Sequence, residues 1–244
     1  MATALLDRVF TFIYPNRCLS CAEETEAGST LCALCWSDAH FISGAICNAC
    51  GTPLLGDTGG DESSCETCHR NPPLWDQGRA VALYQGPVRK MVMALKHGDR
   101  HDIAPHMARW MLNAGRDDLF HPNTLIVPVP LHWSRMIRRR FNQTVLIGDS
   151  LSEQSGAAFI PDLLQRNKPT TMQKDMTRAD RFENQRSAIR IHPKWQDTAK
   201  DAHILLIDDV MTTGATLSAC AAAVLDGGAA SVNTLVFARV ARPE

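Results

Sequence analysis

The chain has 244 residues, of which 45% are hydrophobic and 21% charged, and its formal net charge is −1. This length is sufficient for one or two domains with a real core, and the composition excludes a collagen, a coiled coil and a wholly disordered chain. No apolar stretch is long enough to span a membrane, and the near-zero net charge gives no reason by itself to expect a nucleic-acid binder.

Two segments with different patterns follow one another along the chain. Residues 16–72 are rich in cysteine, glycine and short polar stretches, which predicts knuckles and turns. A pair of prolines at 72 and 73 closes this segment, so we expect a small module at 1–74 and a second domain at 75–244.

Apolar periodicity predicts strands that alternate with helices in the second segment. The predicted elements in chain order are a helix over 3–13, a strand over 79–84, a helix over 87–96, a helix over 103–114, a strand over 124–129, a helix over 141–154, a long loop over 166–187, a strand over 203–207, a helix over 216–225 and a strand over 231–240. This alternation is typical of the α/β class, with a parallel sheet flanked by helices.

Eight of the nine cysteines form four successive Cys-x-x-Cys pairs near the N-terminus. They are Cys18, Cys21, Cys32, Cys35, Cys47, Cys50, Cys65 and Cys68. Structural Zn²⁺ prefers four tetrahedral thiolates, and one Cys-x-x-Cys knuckle supplies two of them. The pattern therefore predicts zinc. Sequential pairing into two sites is the simplest assignment, and crossed pairing or a single occupied site is left open.

Two other roles for the cysteines are less consistent with the sequence. A disulfide framework requires an exported protein, and Asp7 and Arg8 interrupt the apolar N-terminal stretch that a signal peptide would need. A redox centre would need one pair rather than four. We therefore expect reduced thiols and a cytoplasmic protein. Cys220, the ninth cysteine, is expected to be a small core residue.

Charge is distributed unevenly. Residues 1–75 carry three basic and nine acidic side chains, whereas residues 131–194 carry twelve basic and six acidic ones. The N-terminal module is therefore unlike a DNA-backbone binder, because bound tetrathiolate zinc would add more negative charge. The later segment is expected to bind an anion.

The most informative stretch lies between the last two predicted strands. An apolar run ends in two acids and is followed by a small, hydroxyl-rich turn and a helix. The residues are Asp208, Asp209, Val210, Met211, Thr212, Thr213, Gly214, Ala215 and Thr216. Backbone N–H groups and hydroxyls at a helix N-terminus can hold a phosphate, and Gly214 permits close approach of the backbone. The paired acids suit vicinal sugar hydroxyls, or Mg²⁺ that enters with the sugar.

This stretch resembles the signature of the type I phosphoribosyltransferases, which bind phosphoribosyl pyrophosphate. The resemblance implies that Asp208 and Asp209 hold the ribose hydroxyls and that residues 212–216 hold the 5′-phosphate. It also implies a phosphoribosyltransferase-like sheet and Mg²⁺ bound together with phosphoribosyl pyrophosphate.

Two further motifs resemble the ComF competence family, in which a cysteine ribbon is joined to a phosphoribosyltransferase domain. The first is Val127-Pro128-Val129-Pro130 followed by Arg135 and Phe141-Asn142-Gln143; the second is Arg166…Thr170-x-x-Gln173…Arg181-x-x-Asn184. The resemblance implies catalytic roles for Asp208, Asp209, Arg135 and Arg181, with the arginines binding pyrophosphate. Arg140 is a departure, because the family usually has glycine there.

The resemblance also implies a link to the uptake or use of external DNA. Three functions stay open: phosphoribosyl transfer to an unnamed acceptor, non-catalytic handling of single-stranded DNA, and sensing of phosphoribosyl pyrophosphate. Single-stranded DNA, DNA-uptake or recombination proteins, and further copies of the chain are the partners considered. Phe237 and Arg239 are candidates for stacking on an acceptor, although a core role is expected for Phe237.

Overall fold

A computed structural model describes residues 16–54, 63–115, 119–131, 142–166 and 188–241. Several features named above lie outside these residues, namely the helix over 3–13, most of the loop over 166–187, Arg135, Arg140, Phe141 and Arg181. The predicted division between residues 74 and 75 stays a prediction.

The centre of the described chain is a five-stranded parallel sheet. Its strands are β1 (Gln77–Leu83), β2 (Thr124–Pro128), β3 (Ala158–Phe159), β6 (His203–Met211) and β7 (Ser231–Arg239). They lie in the order β1-β7-β6-β2-β3, and every neighbouring pair is parallel. The predicted parallel sheet is therefore confirmed, and the carboxyl ends of its strands meet at one edge.

Helices cover both faces of the sheet. The longer ones are α3 (Gly86–His97), α4 (Ala104–Gly115), α5 (Gln143–Ser155) and α7 (Ala215–Asp226); the shorter ones are α1 (Ala33–Asp38), α2 (Glu66–Arg70) and α6 (Gln196–Ala199). Buried residues of α3, α4 and α5 pack in one core cluster with Phe237, and those of α7 pack in a second cluster with Val236. Adjacent residues of β7 thus serve opposite faces, as the alternation of a strand requires.

Strand β6 is longer than the predicted 203–207. It continues through both acids because Asp208, Val210 and Met211 pair with Val236, Ala238 and Arg239 of β7. Charged residues at 208 and 209 hid this extension, since they end the apolar pattern. Asp208 and Asp209 therefore stand within a strand, whereas the prediction ended the strand just before them.

Short elements were missed by the prediction. Strands β4 (Leu164–Arg166) and β5 (Ile189–Ile191) form an antiparallel pair beside the main sheet. A 3₁₀ turn over His101–Ile103 precedes α4, and another over Pro193–Trp195 precedes α6. Elements of three or four residues show too few periods to be recognised by pattern.

The cysteine-rich segment covers the free edge of β1. The Ile42 N–H donates to the Val81 carbonyl at 2.8 Å, and the Leu83 N–H donates to the His40 carbonyl at 2.9 Å. Phe41 lies between them and forms an antiparallel bridge with Ala82. An exposed strand edge can pair with other chains, so this segment protects the sheet as well as carrying the cysteines.

Candidate functional site

The eight paired cysteines form two groups of four. Within each group, the Sγ atoms all lie within 4.8 Å of one another. The groups are Cys18, Cys21, Cys32 and Cys35 (tetrad 1), and Cys47, Cys50, Cys65 and Cys68 (tetrad 2). The pairing is thus sequential, and the crossed alternative does not match the structure.

The spacing of the sulfur atoms suits zinc. Cys21 Sγ and Cys32 Sγ are 3.7 Å apart, and Cys50 Sγ and Cys65 Sγ are also 3.7 Å apart. A tetrahedron with Zn–S bonds of about 2.3 Å has sulfur–sulfur edges of about 3.8 Å. Each tetrad therefore fits one structural zinc ion.

The first knuckle of each tetrad has the same backbone geometry. The N–H of Cys18 donates to the Glu23 carbonyl, and the N–H of Ala22 donates to the Cys18 carbonyl; Cys47 makes the same two bonds with Thr52 and Gly51. The residue after the second cysteine has a left-handed backbone in both, with φ of 64° at Ala22 and 67° at Gly51. The two halves of the module are therefore structural repeats.

A cleft of about 300 Å³ opens at the carboxyl edge of the sheet. Residues from several strands, helices and loops line this cleft. The lining consists of Tyr84, Lys96, Val129, Pro130, Leu131, Gln143, Arg166, Asp208, Asp209, Val210, Thr212 and Thr216. This is the position at which parallel α/β sheets usually bind ligands, because loops after several strands converge there.

Asp209 is held in a buried hydrogen-bond network. Its Oδ1 accepts from Lys96 Nζ at 2.6 Å, and its Oδ2 accepts from Gln143 Nε2 at 2.7 Å. Asp209 and Gln143 are each only 3% exposed. The amine compensates the buried carboxylate, so Asp209 ties α3 and α5 to the end of β6.

Asp208 is half-buried and faces a different environment. Its Oδ1 accepts the backbone N–H of Asp209 at 2.8 Å. Burial, and then the charge of Asp209, raises the pKa of Asp208 to about 8. The carboxyl is therefore poised between its neutral and ionised forms near neutral pH, so a ligand that donates hydrogen bonds to it would favour the ionised form.

The loop after β6 leads directly into α7. Gly214 caps this helix with φ of 78°, and the Thr213 hydroxyl accepts the Ala215 N–H at 3.3 Å. Thr212 and Thr213 are exposed, whereas Met211 is buried. Thr212 and Thr216 thus bring hydroxyls to the cleft at the positive end of a helix.

The structure brings together only part of the site expected from sequence. Asp208, Asp209, Val210, Thr212 and Thr216 line the cleft. Met211 instead lies under the loop, with its Sδ 2.7 Å from Arg239 Nη1. The expected roles of Arg135 and Arg181 lie outside the described residues and stay predictions.

Lys96 and Gln143 line the cleft but were not assigned to the site from sequence. Lys96 has no local motif, because it stands in the last turn of an ordinary amphipathic helix. Gln143 belongs to the Phe-Asn-Gln motif, so the resemblance carried a signal for it. Arg239 was considered as a contact for an acceptor, but it is 2% exposed and donates to the Cys50 carbonyl at 2.9 Å.

Similar proteins identify the family. A family model described as a double zinc ribbon domain matches residues 9–69. A DNA utilization protein, YhgH of Salmonella typhi, is 31% identical over 199 residues, which are 80% of this chain and 84% of the relative. Competence protein F of Haemophilus influenzae is 27% identical over 201 residues, or 77% and 87% of the two chains. The chain belongs to the ComF competence family.

This ComF-family chain is also similar to solved structures, among them a hypoxanthine phosphoribosyltransferase from Staphylococcus aureus, which is 13% identical with a TM-score of 0.34. Glutamine phosphoribosylpyrophosphate amidotransferase from B. subtilis is 12% identical, with a TM-score of 0.40. The alignment covers 59% of this chain and 30% of that one.

None of the helices in the described ranges is long and apolar enough to cross a membrane.

Proposed function

We propose that this ComF-family chain binds phosphoribosyl pyrophosphate, together with Mg²⁺, in the cleft at the carboxyl edge of its sheet. The observation that carries the proposal is the placement of Asp208, Thr212 and Thr216 around one cleft at the N-terminus of α7. Hydrogen-bond donors for a phosphate are thereby adjacent to a carboxylate that can accept hydrogen bonds from sugar hydroxyls, as a ribose phosphate requires.

The 5′-phosphate is assigned to the loop over 212–216. A helix N-terminus offers backbone N–H donors and a partial positive charge to an anion. Gly214 adopts the left-handed backbone that turns the chain from β6 into α7. The hydroxyls of Thr212 and Thr216 add donors beside it. A monophosphate fits these donors better than a carboxylate, because it offers three terminal oxygens.

The ribose hydroxyls are assigned to Asp208 rather than equally to both acids. Both oxygens of Asp209 already accept bonds from Lys96 and Gln143. Asp208 lines the same cleft and has a raised pKa. Asp209 is then a positioning residue, which fixes the strand end that carries Asp208.

The diphosphate is assigned to the cationic side of the cleft. Lys96 and Arg166 line it, and Arg135 and Arg181 are proposed to complete the set. Mg²⁺ that enters with the ligand would neutralise part of the charge of the diphosphate. Among the described lining residues, the carboxylate oxygens belong to Asp208 and Asp209 alone, and each oxygen of Asp209 already accepts a bond from Lys96 or Gln143. The ligand itself and water would therefore supply most oxygens around the ion.

The biological role is proposed from the relatives. One is named a DNA utilization protein and another a competence protein. We assign the chain a role in the uptake or use of external DNA. The same cationic groups that suit a diphosphate would attract a single strand, so DNA handling without catalysis is the second candidate.

Calorimetric titration of the zinc-loaded chain with phosphoribosyl pyrophosphate and Mg²⁺ tests the proposal. We expect one binding event per chain. Asp208→Asn should weaken it about 10- to 100-fold, the range for lost hydrogen bonds to a charged group. Asp226→Asn, at the far end of α7, is the matched control and should leave the affinity unchanged. Wild-type protein that does not bind would contradict the assignment.

A pyrophosphate-release assay with a panel of bases and amines separates transfer from sensing. Release that depends on one acceptor identifies an enzyme, and binding without release favours a sensor or a DNA-handling protein. DNA affinity is measured in parallel at low and high salt. The second candidate requires binding that weakens steeply as salt rises, because phosphate contacts release counterions.

A further inference from the structure

The Cys47–Cys50 knuckle, which is the first knuckle of tetrad 2, lies directly against the sheet. A Cβ added to Gly51 would approach the Ala80 backbone N to 2.7 Å, and one added to Gly78 would approach the Ala49 carbonyl oxygen to 2.5 Å. The Gly78 N–H also donates to the Asn48 carbonyl at 2.8 Å. Movement of this knuckle would therefore be transmitted to the sheet, because there is no space to absorb it.

Two buried side chains, those of Trp75 and Arg239, form hydrogen bonds with the backbone of this knuckle. The indole N–H of Trp75 donates to the Ala49 carbonyl. The guanidinium of Arg239 donates to the Cys50 carbonyl at 2.9 Å. Trp75 is 6% exposed and Arg239 is 2% exposed.

The same two side chains also reach the end of β6 and the loop that leads into α7. The Cη2 atom of Trp75 is 3.2 Å from the position of a Cβ at Gly214, in the loop. Arg239 Nη1 is 2.7 Å from the Sδ atom of Met211, the last residue of β6 before the loop. Trp75 therefore touches the knuckle and the loop, and Arg239 touches the knuckle and the strand end from which the loop begins.

The negative charge of a zinc-loaded tetrad 2 would stabilise the buried guanidinium of Arg239. A buried guanidinium is costly unless negative charge compensates it. Four thiolates exceed the two positive charges of Zn²⁺, so a loaded tetrad 2 provides negative charge beside Cys50. Loss of the metal would remove this compensation and loosen the contact of Arg239 with both Cys50 and Met211.

Tetrad 1 packs in a core cluster that does not include Trp75 or Met211, so it provides an internal comparison. Cys18 and Cys35 pack in the core cluster that contains Val88 and Phe237. Trp75 and Met211 belong to the cluster on the opposite face. Zinc at tetrad 1 therefore has no equivalent route to the loop among the described contacts.

We propose that Trp75 and Arg239 are positioning residues through which zinc at tetrad 2, but not at tetrad 1, fixes the loop over 212–216. The inference rests on the proposed function for its effect on ligand affinity, but the ordering of the loop itself does not. Zinc occupancy at tetrad 2 would thus control the anion site, and the module would do more than cover the edge of β1.

The first experiment empties one site at a time in the full chain. Cys68→Ser disables tetrad 2, and Cys21→Ser disables tetrad 1. We expect hydrogen exchange of the amides over 211–216 to be about tenfold faster in Cys68→Ser and unchanged in Cys21→Ser, in the range of ordinary coupling between sites. Equal effects of the two variants, or no effect of either, would overturn the proposal.

The second experiment keeps both metals, because cysteine variants can fail to fold. In Arg239→Met and Trp75→Phe we expect two zincs per chain, faster exchange over 211–216, and about tenfold weaker phosphoribosyl pyrophosphate binding. Arg239→Lys should recover part of the loss, since it restores the charge. Arg79→Met is the matched control, because Arg79 bonds to Asn48 in the same knuckle; we expect unchanged exchange and affinity. Unchanged exchange in Arg239→Met and Trp75→Phe would refute the proposal.

Ligand binding tests the proposed function, and hydrogen exchange over 211–216 tests the coupling between tetrad 2 and the loop. If the wild-type chain does not bind phosphoribosyl pyrophosphate but Cys68→Ser and Arg239→Met still loosen the loop, the proposed function fails and the coupling stands. If the wild-type chain binds and neither variant changes exchange, the proposed function stands and the coupling fails.

Discussion

Asp208 and Asp209 are adjacent in the sequence but have different roles in the structure. Successive residues of a strand face opposite sides, so the two carboxyls cannot share one environment. Both acids line the cleft, but Asp209 is buried with Lys96 and Gln143 as partners, whereas Asp208 is half-buried and carries a raised pKa. Their division into a positioning acid and a ligand-facing acid follows from this geometry.

Lys96→Met should destabilise the fold by about 2–4 kcal/mol, because it leaves the buried Asp209 carboxylate without its cation. Urea unfolding measures this loss. Adding Asp209→Asn to Lys96→Met should recover a large part of the stability, since the unpaired charge is then gone. Additive losses in the double variant would contradict the pairing.

Asp208→Asn should stabilise the ligand-free chain increasingly as pH rises from 6 to 8.5. The folded-state pKa of about 8 lies above the unfolded value of about 4, so the native state retains a proton that the unfolded state releases. Wild-type stability is therefore lost as pH rises between these values, and the amide escapes this loss. We expect about 1–2 kcal/mol at pH 8 for this half-buried group; a pH-independent difference would contradict the shift.

At the scale of elements, the strand that carries the acids and the knuckles that carry the thiols were only partly predictable. Asp208 and Asp209 interrupt the apolar pattern, so the extension of β6 to Met211 depends on pairing with β7, which sequence does not display. The Cys-x-x-Cys spacing predicted the knuckles, but their sequential grouping required three-dimensional information. Lys96 was missed because its partner is far away in sequence.

Ala22→Gly should stabilise the zinc-loaded chain by about 0.5–1 kcal/mol, because Ala22 has a left-handed backbone that glycine adopts without strain. Gly51→Ala, at the equivalent position of the repeat, should be strongly destabilising, since its Cβ would approach Ala80 N to 2.7 Å. Thermal unfolding measures the change in stability of both variants. Effects of the same sign would contradict the equivalence of the knuckles.

At the scale of the whole molecule, the zinc module protects the sheet. Residues 40–42 pair with the outer edge of β1, Cys18 and Cys35 of tetrad 1 pack in the core cluster with Phe237, and Gly51, next to tetrad 2, lies close to Ala80 of β1. The −1 net charge conceals this organisation, because an acidic module is joined to a basic segment. The α/β class and the zinc ligands were predictable, whereas the link between module and loop through Trp75 and Arg239 was not, since neither residue belongs to a local motif that indicates its distant partners.

Zinc removal should therefore cause association as well as loss of stability. A chelator should release two zincs per chain, lower the melting temperature and expose the edge of β1, which then pairs with other copies. Metal analysis and light scattering after chelation measure these outcomes. A chain that stays monodisperse without zinc would contradict the protective role of the module.

The central claim is that the cleft at the end of β6 binds phosphoribosyl pyrophosphate, and a hydrogen-exchange comparison with and without this ligand tests it most directly. In the presence of Mg²⁺ we expect amides over 212–216 to exchange about tenfold more slowly when the ligand is bound, and no such protection in Asp208→Asn. Protection confined to another part of the chain, or none at saturating ligand, would contradict the account.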